Sequence, residues 1–117
     1  MNACVLRDLL TDLVDSPYPS DAASRLVVTR LSWNRIPHRA MLGQVRLGDR
    51  VLKPHFWVEV GDQIIDYAAR EGRSEMLQGV FSAREAEGMY QGQEIIIDPL
   101  PKYLCDLIYR TPHHEPV

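Results

Sequence analysis

The sequence predicts an α+β domain, a small antiparallel β-sheet packed by amino-terminal helices. Two helical stretches open the chain, the first marked by apolar residues at helical spacing over residues 3–14 and the second lying over residues 22–31. From Arg39 onward the apolar period shortens to that of strands, punctuated by Gly48-Asp49 and Gly61-Asp62. At 117 residues, with 45% hydrophobic and 25% charged side chains, the chain reads as a single globular domain over 1–117 rather than as a disordered segment.

In the first helix Asn2 is a natural cap, and Val5, Leu6, Leu9, Leu10, Leu13 and Val14 form the apolar stripe. Cys4 then falls in the first turn, where unpaired backbone N–H groups favour a thiolate, although a cysteine there equally fills a small apolar gap. Pro17-Tyr18-Pro19 interrupts the helical pattern. Ser20-Asp21 caps the second helix, which ends before Pro37, with Trp33 and Ile36 as core or boundary anchors.

Residues 40–47 read as a first strand, with Gly43 at a bulge or a close backbone approach. Residues 51–60 and 63–67 continue as second and third strands of an antiparallel meander. Residues 70–87 are dominated by charge, with Met76, Leu77, Val80 and Phe81 available to attach them to the core and a short helix expected over 83–87. Residues 90–97 form a final strand whose Ile95-Ile96-Ile97 run is too apolar for a fully exposed edge. A short helix over 102–109 and a polar tail close the chain.

The chemistry concentrates in Pro54-His55-Phe56-Trp57-Val58-Glu59-Val60-Gly61-Asp62-Gln63-Ile64-Ile65-Asp66. A two-residue turn at Gly61-Asp62 sets Val60 opposite Gln63, Glu59 opposite Ile64 and Trp57 opposite Asp66. Alternation then puts His55, Trp57 and Asp66 on one face, with His55 and Asp66 as diagonal neighbours. An imidazole facing a carboxylate is held in one tautomer and becomes a better proton acceptor. A solvated hairpin whose histidine and aspartate merely share a surface is the bland alternative. A nucleophile must arrive from elsewhere, and the two thiols, Cys4 and Cys105, are the candidates. Cys105 is flanked by Leu104 and Leu107, which reads more simply as a buried structural thiol.

The His55-Phe56-Trp57 segment followed by Asp66 resembles the His-x-Trp and downstream Asp portion of transglutaminase-like, papain-like cysteine enzymes. Residues 36–45 also look like that family's first core strand. The resemblance implies a papain-like/transglutaminase-like core with Cys4 as nucleophile, His55 as general base and acid, Asp66 as the orienting carboxylate and Trp57 in support. It implies cysteine-dependent acyl transfer, most economically peptide or isopeptide hydrolysis through a thioester, with a peptide or protein as substrate. The helix nearest the first strand carries Ser20, Asp21 and Ser24 but no cysteine. A catalytically inactive binding or inhibitory member of the fold, such as a phage or mobile-element accessory protein that meets a protein partner, therefore stands as the alternative.

Other readings are excluded or weak. No cofactor is expected, since Glu59, Asp62 and Asp66 do not make a calcium loop and the histidines do not make a zinc set. The formal charge of −3 gives no general attraction for nucleic acid, and Arg25, Arg30, Arg35, Arg39, Arg46 and Arg50 lack interleaved aromatics. No apolar run is long enough to cross a bilayer, and the first residues do not follow the order of a secretory signal. A cytoplasmic, reduced setting is the resulting expectation, and it keeps the thiols available.

Overall fold

The computed structural model describes residues 2–13, 18–68, 79–101 and 103–104. Helix α1, Ala3–Leu9, runs into a 3-10 turn at Thr11–Leu13, and helix α2 spans Ser20–Trp33. The strands are β1 (Arg39–Leu47), β2 (Arg50–Val60), β3 (Gln63–Asp66), β4 (Gly79–Ser82) and β5 (Tyr90–Ile95). They make one antiparallel sheet in the order β4-β3-β2-β1-β5. This is the small α+β arrangement expected, with amino-terminal helices packed on an antiparallel sheet.

Local chemistry explains the helices. Asn2 Oδ1 accepts the Val5 N–H at 3.0 Å, satisfying one of the donors that open α1. Pro19 holds the cap position of α2 in extended backbone and makes no side-chain cap, whereas Ser20-Asp21 was the expected capping pair. Ser20 is already helical, and its hydroxyl is committed elsewhere. Arg30 Nη1 donates to the Leu9 carbonyl at 2.6 Å, and its guanidinium also forks onto the Asp12 carboxylate, tying the first helical segment to α2.

Strand alternation divides the apolar residues between two layers. On the helix side, Val58 and Val60 of β2, Ile65 of β3 and Val80 of β4 pack with Leu6, Leu10, Leu13, Leu26, Val27 and Leu31. On the other side, Val45, Leu47, Trp57, Ile64, Phe81 and Ala86 form a second cluster. Among the described residues no second layer of helices covers that side; the sheet curls over it. In sheet order β4 and β5 are opposite edges, about 19 Å apart in a flat sheet at the usual strand spacing. Yet residues 83–89, folded into successive turns, join them. Curling brings Phe81 of β4 and Tyr90 of β5 into contact, ring centroids 5.9 Å apart.

The curl depends on a close approach of backbones. Gly43 and Gly92 are cross-strand partners on β1 and β5, beside a register shift between Gly43 and Val45. A Cβ at Gly92 would stand 2.5 Å from the Leu42 carbonyl oxygen and 2.8 Å from Cη2 of Trp57. Gly61, at φ 58°, opens the β2–β3 turn in the left-handed region that glycine occupies without cost.

Several expectations change. Residues 83–87 form turns closed by bonds such as Glu85 N–H to the Ser82 carbonyl, not a helix. Val80 and Phe81 belong to an unforeseen strand whose first three residues are buried. Strand β5 is an edge, and Ile96 is 91% exposed, because alternation sends only Ile95 and Ile97 toward the helix-side core. Trp33 is exposed rather than a core anchor, while Ile36 is buried as expected. Residues 70–78 and the 102–109 helix, apart from Tyr103 and Leu104, fall outside the described residues, as does Cys105. No helix among the described residues is long and apolar enough to cross a membrane.

Two outcomes follow from this packing. Gly92→Ala is expected to destabilise the fold by about 2 kcal/mol, because the added methyl meets backbone and a buried indole; the urea midpoint measures it. Burial pushes the Tyr67 hydroxyl up from 10.0 to about 12, with Arg7 opposing the shift and Asp12 adding to it. The folded state thus holds this proton more tightly than the unfolded chain. Stability from this group is complete below the unfolded value and declines as pH rises from 10.0 toward about 12. Denaturation series across that window should show the decline in the native chain and a shallower one in Tyr67→Phe.

Candidate functional site

The β2–β3 hairpin forms in the register that its turn dictates: Val60 faces Gln63, Glu59 faces Ile64 and Val58 faces Ile65. His55 and Asp66 therefore project from the same side of the sheet, at the end of the space enclosed by the curl. His55 Nε2 lies 2.8 Å from Asp66 Oδ2. Both residues are buried, at 4% and 3% exposure, so the pair does not belong to a solvated hairpin.

Asp66 is the centre of a larger set of bonds. The Tyr90 hydroxyl donates to Oδ2 at 2.7 Å, and the Ala68 backbone N–H donates to Oδ1 at 3.0 Å. A carboxylate can only accept, so three convergent donors offset much of what its burial costs. His55 Nδ1 has no hydrogen-bond partner among the described residues.

Trp57 is 1% exposed and closes one side of the pair. Its ring lies 6.4 Å from the His55 ring at 24°, and edge-on to Tyr90 at 4.9 Å. Its indole N–H donates to Glu59 Oε2 at 3.0 Å, and Glu59 Oε1 receives Arg39 Nη2 at 2.6 Å. This chain of bonds fixes the indole against β2, and the ring keeps water from that flank of the imidazole.

Of the two thiols, the described residues include only Cys4. Cys4 is exposed in the first turn of α1, a helix that packs beside β4 and is tied to it by Arg7 Nη2 on the Val80 carbonyl at 2.8 Å. No hydrogen bond links Cys4 to His55. Cys105 lies outside the described residues. At the start of α2, the Ser20 hydroxyl accepts the Phe56 N–H at 3.2 Å. Phe56 follows His55 directly, which bounds the Ser20 oxygen to within about 10 Å of the His55 ring nitrogens, and no hydrogen bond links Ser20 to that ring.

Sequence reasoning thus anticipated the shared face of His55, Trp57 and Asp66, but not the Tyr90 hydroxyl on Asp66 or the Ser20 hydroxyl on the Phe56 N–H. Neither left a local signal, because each reaches the site through a contact distant in sequence. Among the described residues no group of three or more His, Cys, Asp or Glu side chains is arranged to hold a metal ion. Arg25 donates to the Asp98 carbonyl, Arg30 pairs with Asp12 and Arg39 with Glu59, so these three arginines serve internal ties.

The fold and site together define a small mixed α+β domain with a buried histidine–aspartate pair joined by a half-buried tyrosine on a curled sheet. No family model matches the chain, and neither a curated protein nor a solved structure matches it.

Asp66→Ala is expected to cost about 3 kcal/mol, because it leaves the imidazole, the phenol and the Ala68 N–H without their shared acceptor. Chemical denaturation at neutral pH measures that loss. Asp62→Ala, which changes an exposed turn carboxylate, should remain within about 0.5 kcal/mol of the native chain.

Proposed function

We propose that the domain is an acyl-transfer enzyme, most economically a peptide or isopeptide hydrolase, with His55 as general base and acid and Asp66 as the carboxylate that orients it. The observation that carries this reading is the buried 2.8 Å contact between His55 Nε2 and Asp66, which leaves Nδ1 as the nitrogen available to a reacting group. A purely structural histidine gains nothing from an unpartnered ring nitrogen, whereas a general base requires one.

The transglutaminase-like resemblance assigns the attack to the Cys4 thiol. The alternative nucleophile is the Ser20 hydroxyl, whose bond is to the N–H of the residue after His55 and not to the ring itself. In this reading Nδ1 takes the Ser20 proton as Oγ forms a bond to the substrate carbonyl carbon. The tetrahedral intermediate then collapses, the C–N bond breaks, and the imidazolium returns the proton to the departing amine. Water repeats the sequence on the resulting ester, releasing the acid and restoring Ser20. Backbone N–H groups opening α2 supply positive potential where the oxyanion develops.

A second reading is a non-catalytic binding protein on the same scaffold. It is favoured by the Ser20–Phe56 bond, which also serves as a strut between α2 and β2. Labelling separates the two. An aryl phosphonate and a chloroacetamide, applied in parallel and mapped by mass spectrometry, are expected to give a phosphonate adduct on Ser20. That adduct should fall about 100-fold or more in a folded His55→Ala variant. A His55-dependent adduct on Cys4 would return the attack to the thiol. If neither residue reacts faster in the folded chain than in urea, the acyl-transfer reading fails and the binding reading replaces it.

A further inference from the structure

Tyr90 opens β5, the sheet edge opposite β4, yet its hydroxyl reaches Asp66 on β3. Two aromatic contacts aim it. The ring meets Trp57 edge-on at 4.9 Å and leans on Phe81 at 5.9 Å. Gly92, two residues further along β5, leaves room for the Trp57 indole that forms one of these walls. With the ring so held, the phenol O–H points at Asp66 Oδ2, the same oxygen that faces His55 Nε2. The Ala68 N–H holds the other oxygen. Rotating this carboxylate would break bonds at both oxygens, so the imidazole meets an acceptor whose direction is fixed.

We infer that Tyr90 is a positioning residue of the His55–Asp66 pair: by fixing Asp66 Oδ2 it puts the proton of the neutral His55 ring on Nε2 and leaves Nδ1 basic. This rests on the reading of His55 as general base, but the state of the ring is measurable without any substrate. Imidazole in water populates both tautomers, and a carboxylate that is free to swing selects between them less sharply. Removing one hydroxyl therefore changes the ring's proton distribution while leaving the aromatic packing in place.

The test is ¹⁵N NMR of the histidine-labelled 117-residue chain, native and Tyr90→Phe, together with the rate of phosphonate labelling at Ser20. The native chain is expected to show the Nε2–H tautomer for neutral His55. Tyr90→Phe should show a mixture of tautomers and about tenfold slower labelling. Tyr67→Phe, which removes a phenol that is buried but makes no bond to Asp66, should leave the His55 signals unchanged. A Tyr90→Phe spectrum indistinguishable from the native one overturns the inference, as does an Nδ1–H ring in the native chain. The native spectrum decides even if the variant does not fold: a slowly exchanging Tyr90 hydroxyl proton with cross-peaks to an Nε2–H ring supports the inference, and its absence counts against it. Loss of labelling in the native chain sinks the catalytic reading alone, because the tautomer result stands or falls separately.

Discussion

Asp66 is a buried carboxylate, and its neighbourhood is arranged to supply it with donors. An isolated charge at 3% exposure would cost far more than a domain of this size can spare. Three donors converge on it from three parts of the chain: an imidazole on β2, a phenol on β5 and the Ala68 backbone amide just beyond β3. Meeting that demand fixes the β2–β3 register, since a slip of one residue would turn either His55 or Asp66 to the helix face. It also requires β5 to approach β3 from the far edge of the sheet, so the polar cluster and the curl of the sheet are mutually dependent.

The two faces of the sheet divide the work. One face is covered by α1 and α2 and carries much of the apolar burial. The other encloses the smaller cluster around Trp57 and Phe81, with His55 and Asp66 where that cluster gives way to polar groups. The start of α2 reaches the plane of the sheet through Ser20 and Phe56. This bond ties the helix layer to the strand that carries His55.

Elements whose determinants are local were legible in the sequence. Asn2 capped α1, Gly61-Asp62 set the hairpin register, and simple alternation from that register placed His55 diagonal to Asp66. Gly43 was read as a bulge or a close approach; it is a close approach to β5, and the register shift against β2 lies just beyond it. The readings that changed depended on distant partners or on ambiguous periods. Nothing near Tyr90 reports that β5 pairs with β1 or that its hydroxyl ends on β3. Ser20 carries a strong capping propensity, but the adjacent strand amide captured its hydroxyl. Three consecutive isoleucines conceal the alternation that exposes Ile96, and the charged run at 83–87 suits repeated turns as well as a helix.

The stretch from Ala83 to Met89 acts as a tether of fixed reach. Because it is folded back on itself and still joins opposite rims of the sheet, its length sets how tightly the half-cylinder closes. A longer tether would let the rims drift apart and carry the phenol away from the acid without altering a residue of either strand. The spacing between two edge strands therefore behaves as a dimension of the site itself, specified by the chain that runs outside it.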